Sequence, residues 1–268
     1  MEERIMKPDY KNWVPKGMVY GFFGGCAAAI VLLIIFGCTP ILAKGVFKTV
    51  LTVVFILAAL AFAVAGVWMY KLHKAFDYNG TRQMARQIIE GVADYAKLPD
   101  GGTGLDVGCG SGALTIACAK RFPEASMIGI DRWGKEYASF NKPLCESNAA
   151  AEGVTNVSFK QGDALKLDFP DETFDLVTSN YVYHNIPSKD RQAILLETLR
   201  TLKKGGTFAI HDIMSRSKYG DMEGFVRKLE MMGFEDVQLI KTDNGKFMEP
   251  GEAGWMGLSG SAILYGRK

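Results

Sequence analysis

The chain has 268 residues, 31 Lys+Arg against 29 Asp+Glu, and a formal net charge of +2, which leaves no basic excess of the kind that binds nucleic acid. Its five cysteines (Cys26, Cys38, Cys109, Cys118, Cys145) form no C-x-x-C pair and no metal-ligand spacing. That pattern excludes a zinc module and suits a reducing compartment.

Residues Met18 to Ala43 contain no charged side chain, and neither do Thr49 to Tyr70. At 1.5 Å per residue the second run reaches about 33 Å, enough for a hydrocarbon core of about 30 Å. Pro40 ends the first helix near Cys38. A soluble helix of such length shows a polar face, and neither run has one. A cleaved signal peptide is disfavoured by the length of the first run and by the second that follows. The pattern predicts a transmembrane hairpin over 18–74, an N-terminal flank over 1–17 and one soluble domain over 75–268. Arg4, Lys7, Lys11 and Lys16 precede the first span, Lys71, Lys74, Arg82 and Arg86 follow the second, and only Lys44 and Lys48 lie between. This bias places both termini and the soluble domain in the cytoplasm. Residues 75–268 hold 23 Lys+Arg and 26 Asp+Glu, a net −3, so the positive charge belongs to the flanks and favours anionic lipid headgroups. Gly21 and Gly25 form a G-x-x-x-G face, a helix-packing motif through which the hairpin would also self-associate.

The soluble domain alternates helix and strand. Helix is expected over Thr81–Lys97, strand over Gly104–Val107, helix over Ala113–Arg121 and strand over Ser126–Ile130. A helix from Lys135 to Glu152 and a strand over Val157–Lys160 follow. The second half predicts strand over Phe174–Ser179, a Ser188-capped helix to Leu202, strand over Thr207–Asp212, helix over Tyr219–Met232, and strands over Val237–Lys241 and Ala262–Gly266. Such alternation implies an α/β, doubly wound, mostly parallel sheet, with ligands at the carboxyl ends of its strands.

Function is therefore sought just after each strand. Gly108, Gly110 and Gly112 follow the first, where glycine lets main chain approach a ligand. This pattern alone also fits a dinucleotide fingerprint. Asp106, two residues earlier, would repel a pyrophosphate and favour a cationic ligand. Asp131 closes the second strand, placed for ribose hydroxyls. Asp163 follows the third, placed for an adenine amino group.

The run Leu105 to Gly112, with Ile128–Asp131, Gln161–Ala164, Leu167–Asp175 and Leu199–Thr207, closely resembles class I S-adenosylmethionine-dependent methyltransferases. The last three blocks look most like the branch containing quinone-biosynthesis C-methyltransferases and many small-molecule enzymes. The resemblance covers residues 80 to 268. It implies a Rossmann-like seven-stranded sheet in the order 3-2-1-4-5-7-6, with the last strand antiparallel. It also implies S-adenosyl-L-methionine as cofactor, held at its methionine end by Asp106, Gly108, Cys109, Gly110 and Gly112. Asp131 and Arg132 would meet the ribose, Gly162, Asp163 and Ala164 the adenine, and Asn180 the same pocket from the fourth strand.

Methyl transfer demands alignment and exclusion of water, with a base only where the acceptor holds its proton. No metal is required. Among residues after the fourth strand, Tyr181 and Tyr183 are candidates to face a sulfonium, and His184 is the candidate base. His211 and Asp212 end the fifth strand. Tyr181 and Val182 replace the prolines of the Asn-Pro-Pro-Tyr block found in nucleic-acid amino-methyltransferases, which speaks against a nucleic-acid partner. Trp133 to Cys145, with Tyr137 and Phe140, and Asn244 to Gly260, with Trp255 and Met256, are candidate acceptor walls. The hairpin points to a lipophilic small-molecule acceptor reached from the bilayer: a quinone or isoprenoid, a lipid amine or a thiol. Two other readings stay open, a non-catalytic membrane-bound nucleotide sensor and an NAD-dependent membrane oxidoreductase.

Overall fold

The computed structural model describes residues 7–134 and 139–268, so Arg4, Tyr137 and the expected helix start at Lys135 lie outside the described residues. The chain forms two compact units: Asn12–Ala85, and Arg86–Lys268 together with Lys7–Lys11.

In the first unit, α1 (Lys16–Leu32) runs on as a π-helical turn over Leu33–Cys38 before the chain reverses at Pro40. The Lys48 ammonium donates to the Thr39 carbonyl at 2.7 Å across the reversal. The second helix, α2 (Val46–Phe76), outlasts its apolar run because His73 and Lys74 occupy its last turn, where cations suit the exposed carbonyls. The helices pack glycine against ring in both directions. A Cβ on Gly25 would lie 2.9 Å from the Phe62 ring, and one on Gly66 3.0 Å from Phe23. Gly25 is thus used within the hairpin itself. At its base the Asn12 amide donates to the His73 carbonyl at 2.7 Å, and His73 Nδ1 donates to the Val14 carbonyl at 2.6 Å. Among the described residues, every large exposed apolar side chain except Leu165, Met231, Met232 and Trp255 lies between Met18 and Tyr70. Both helices are long and apolar enough to cross a membrane by length and composition.

The second unit is built on one seven-stranded sheet in the order β3-β2-β1-β4-β5-β7-β6. Its strands are β1 (Thr103–Val107), β2 (Ser126–Asp131), β3 (Val157–Gln161), β4 (Phe174–Asn180), β5 (Leu202–Ile213), β6 (Glu235–Lys241) and β7 (Ser261–Arg267). β7 is antiparallel to both neighbours and the other pairings are parallel, as the sequence led us to expect. β1 pairs with β2 on one side and β4 on the other, so the strand order reverses there. In open sheets of this kind ligands bind outside the carboxyl ends of the strands at such a switch point.

Local capping moves several helices from their expected bounds. Gln83 has a left-handed backbone (φ 48°), and α3 starts only at Met84, ending at Ala93. α4 (Ala113–Arg121) lies where expected. Asn141 accepts the Leu144 amide at 2.9 Å and Pro143 fills the first turn, so α5 is Lys142–Ala151. Asp190, rather than Ser188, caps α6 (Arg191–Arg200) by accepting from Ala193 at 3.0 Å. The expected helix at 219–232 splits into α7 (Arg216–Tyr219) and α8 (Met222–Met231), because Gly220 turns the chain and Asp221 caps anew. A further helix, α9 (Pro250–Met256), starts with a Glu249/Glu252 capping box. The core packs Phe174, Tyr183, Leu195, Phe208, Phe225 and Leu264 among its fully buried side chains.

Candidate functional site

Three strand ends meet at Asp131. One carboxylate oxygen accepts the Gly110 amide at 2.9 Å and the other the Trp133 amide at 2.7 Å. The Asp131 carbonyl accepts from Gly162 at 3.0 Å, and the Ile130 carbonyl accepts from Gly108 and Cys109 at 2.8 and 2.9 Å. Main chain following β1, β2 and β3 is thereby drawn together. The Trp133 indole donates to the Gly110 carbonyl at 3.0 Å, and the Cys145 thiol donates to the same oxygen at 3.2 Å. Gly108 (φ 75°) touches the loop after β4 so closely that a Cβ would stand 2.3 Å from the Val182 side chain. Only glycine fits there. A Cβ at Gly110 would meet nothing within 4 Å, so the outer face of this elbow stays open.

Asp106 lies beneath the elbow at 1% exposure, its oxygens accepting from Thr115 at 2.6 Å and Thr178 at 3.1 Å. Burial pushes its carboxyl up to about 6 against the pull of those two hydroxyls. Cys109 is buried and its thiol is pushed up by burial, with Cys145 beside it. A Cβ on Gly112 would press on Phe159 and Cys145, so this glycine serves packing. Arg132 and Asp163 are exposed, Ala164 is half-buried, and Asp163 accepts from the Leu165 amide at 2.9 Å.

At the ends of β4 and β5 a second cluster forms. His184 Nδ1 stands 2.5 Å from Asp212 Oδ1, with the His184 side chain 14% exposed. Asp212 also accepts from the His184 amide at 3.1 Å, the Ile213 amide at 2.6 Å and the Tyr219 hydroxyl at 2.8 Å. Burial works against this carboxylate, but His184 and Tyr219 hold it below the usual range. A carboxylate only accepts, so Nδ1 is the donor of this bond. His211 is fully buried between Asn180 Oδ1 and Thr242 Oγ1, each at 2.8 Å, and burial lowers it to about 3. It is a neutral strut. Asn180 is thus taken up by His211.

The Tyr181 ring lies between the two histidines, its centroid 5.8 Å from His184 and 4.6 Å from His211. Its hydroxyl meets Ser261 at 2.7 Å. Tyr183 shows no exposed surface and its hydroxyl meets Thr198 at 2.9 Å, which puts it in the core and away from any ligand. Trp133 (φ 44°) and Tyr181 (φ 54°) both hold the left-handed backbone that bulky residues avoid, one beside each cluster. Outliers of this kind collect at functional sites. Trp133, Cys145 and Tyr219 were missing from the sequence-based donor and base sets. The sequence marks Trp133 and Cys145 only as the bounds of a candidate acceptor wall, Trp133 two residues after β2 and Cys145 within α5, and Tyr219 gives no signal.

An antiparallel seventh strand inserted between the fifth and sixth, with a glycine elbow after the first, is the architecture of class I S-adenosylmethionine-dependent methyltransferases. A family model described as a methyltransferase domain matches residues 98–248, more than half of the chain, and the chain belongs to that family. It is 36% identical over 115 residues to a demethylmenaquinone methyltransferase of Lactobacillus johnsonii, covering 42% of this chain and 45% of that protein. It is 34% identical over 128 residues to an arsenite methyltransferase of Aquipseudomonas alcaligenes, covering 46% and 36%. The chain therefore spans less than half the length of these relatives. Among solved structures, the cyclase SpnF superposes with TM-score 0.53 at 21% identity, over 72% of this chain and 85% of that one. A geranyl diphosphate methyltransferase superposes with TM-score 0.50 at 14% identity over the same shares. These likenesses establish the fold. A cyclase among them is a reminder that chemistry resides in the site.

Proposed function

We propose that this protein is a membrane-anchored methyltransferase that moves a methyl group from S-adenosylmethionine to a small lipophilic acceptor bearing an acidic proton, a quinol or thiol. The observation that carries this reading is the His184–Asp212 pair, with His184 two residues beyond the loop position where Val182 touches Gly108. The residues fit the donor: an open main-chain elbow with a carboxylate at its side suits a ligand that combines a diol with positive charge.

S-adenosylmethionine supplies an electrophilic methyl group on a sulfonium. His184 Nε2 takes the proton that the acceptor must lose, and Asp212 stabilises the resulting imidazolium through Nδ1. Tyr219 and two backbone amides keep that carboxylate from turning. Tyr181 walls the space between the histidines with a ring face suited to a cation. The hairpin spans the bilayer with both termini and this domain on the cytoplasmic side. That topology gives a lipophilic acceptor a route from the membrane. The demethylmenaquinone methyltransferase relatives favour a quinol among the acceptor classes.

The test incubates the purified full chain in phospholipid nanodiscs with native lipid extract and methyl-labelled donor, followed by mass spectrometry. Label in one lipid-soluble species is expected. Donor binding with no labelled product across quinol, thiol and amine panels would leave the sensor reading in its place.

A further inference from the structure

Two carbonyls of the glycine elbow are held by one face of α5. Cys145 donates to Gly110 and Asn148, three residues on, donates to the Ser111 carbonyl at 3.0 Å. Asn148 is 1% exposed, and the rest of its amide is spent on a distant piece of chain. Its Oδ1 accepts the Asp9 amide at 2.7 Å and its Nδ2 donates to the Asp9 carbonyl at 3.1 Å. The amide thus pairs with Asp9 as a neighbouring strand would. Tyr10 is buried beside it, at 6% exposure, with its hydroxyl 3.3 Å from Glu152, which Lys120 holds at 2.6 Å. A terminal segment held only by solvent would show none of this.

We propose that the segment Lys7–Lys11 is a working part of the donor site, acting through Asn148 as a positioning residue for the elbow. All three polar functions of a buried side chain are satisfied only while Asp9 is in place. When Asp9 leaves, Asn148 keeps one bond to Ser111 and has an unpaired carbonyl, so it turns in search of partners and releases the elbow. The donor pocket therefore depends on residues that the membrane hairpin separates in sequence from the rest of the domain. This rests on the elbow holding S-adenosylmethionine, as proposed above.

The full chain in nanodiscs is titrated with S-adenosylhomocysteine by calorimetry in four forms: wild type, Asp9→Pro, Asn148→Ala and the double variant. Asp9→Pro removes the N–H that Asn148 accepts, together with the exposed carboxylate that bonds Lys11, and leaves residues 86–268 unchanged in sequence. It is expected to weaken binding about fivefold, and Asn148→Ala about tenfold. The double variant should bind no worse than Asn148→Ala, because both changes cut one path. Steady-state kinetics should show a raised donor KM with acceptor KM and saturating kcat unchanged. Asp9→Pro binding within twofold of wild type overturns the proposal, and does so even if Asn148→Ala fails to fold. Losses that multiply in the double variant also overturn it. A wild type that does not bind removes the donor assignment itself, which is a different failure.

Discussion

At the ends of β1, β2 and β3 the hydrogen bonds of the site, those of Asp106 to Thr115 and Thr178 apart, run between side chains and main chain, whereas at the ends of β4 and β5 they run mostly from side chain to side chain. Asp131, Trp133, Cys145 and Asn148 all grip amides or carbonyls of the elbow. His184, Asp212, Tyr219, His211 and Asn180 grip one another. The first arrangement fixes a shape, and the second fixes protonation states. Each end also buries ionisable groups whose neutral form is favoured, among them Asp106, pushed up to about 6, and His211, pushed down to about 3.

The largest expected effect falls on the second end. His184→Ala should lower kcat by about 10²–10⁴-fold, the usual worth of a positioned base, while S-adenosylhomocysteine affinity stays within twofold. Asp212→Asn should fall in the same direction, because an amide can present the wrong group to Nδ1. Calorimetry beside single-turnover kinetics reads both. Equal loss of binding and rate in His184→Ala would mean that the two ends are one structural unit and that the histidine is a brace.

Asp106→Asn tests the first end through stability. A carboxyl raised from 3.8 to about 6 contributes stability that is present below pH 3.8 and lost as pH rises through 6. That displacement corresponds to about 3 kcal/mol. The variant should therefore gain on wild type by up to about 3 kcal/mol between pH 4 and pH 7, followed by urea unfolding at each pH. Under the proposed donor reading it should also bind donor less well, since the charge that costs stability lies buried beneath the elbow that would hold a cation. His211 has the opposite sign: its contribution is present above pH 6.5 and fades as pH falls toward 3. A pH-dependent difference from wild type that is missing in Asp106→Asn or in His211→Gln would locate the error in the first or the second end.

Asp131→Ala should weaken S-adenosylhomocysteine binding at least tenfold, about 1.4 kcal/mol, because it removes both a diol acceptor and the anchor of the Gly110 and Trp133 amides. Unchanged affinity by calorimetry would remove its assigned role.

The order of the sheet was legible in the sequence because five short blocks repeat a known arrangement, and each block sits at a strand end. Alternation of apolar runs and glycine turns then located six strands within a residue or two of their bounds. What escaped was set by local competition. Asn141 and Pro143 start α5 late, and Asp221 restarts a helix that hydrophobic spacing alone would continue. β5 begins at Leu202 because its early residues bond across Gly205 and Gly206 to the chain end, pairing that no local pattern reveals. In the site, His184 stood out by type and place. Its partner Asp212 was visible only as a strand-end residue, and Tyr219 reaches it from a helix whose turn was misplaced. Tyr183 shows the converse: adjacency to a site residue gave it a candidate role, and alternation about a tight turn sends it into the core.

The smallest effect separates shape from protonation most cleanly. Trp133→Phe keeps a ring at a left-handed backbone position and deletes one neutral hydrogen bond, the indole N–H to the Gly110 carbonyl. Such a bond contributes about 0.5–1.5 kcal/mol, which is about twofold to twelvefold in donor affinity. The Cys145 thiol still reaches the same carbonyl, which keeps the loss at the low end. Nothing in this change touches the His184–Asp212 pair, so kcat at saturating donor and its pH dependence should match wild type. A shifted pH profile in Trp133→Phe would show that the elbow sets the base's environment, and the division between the two ends would then dissolve into a single coupled site.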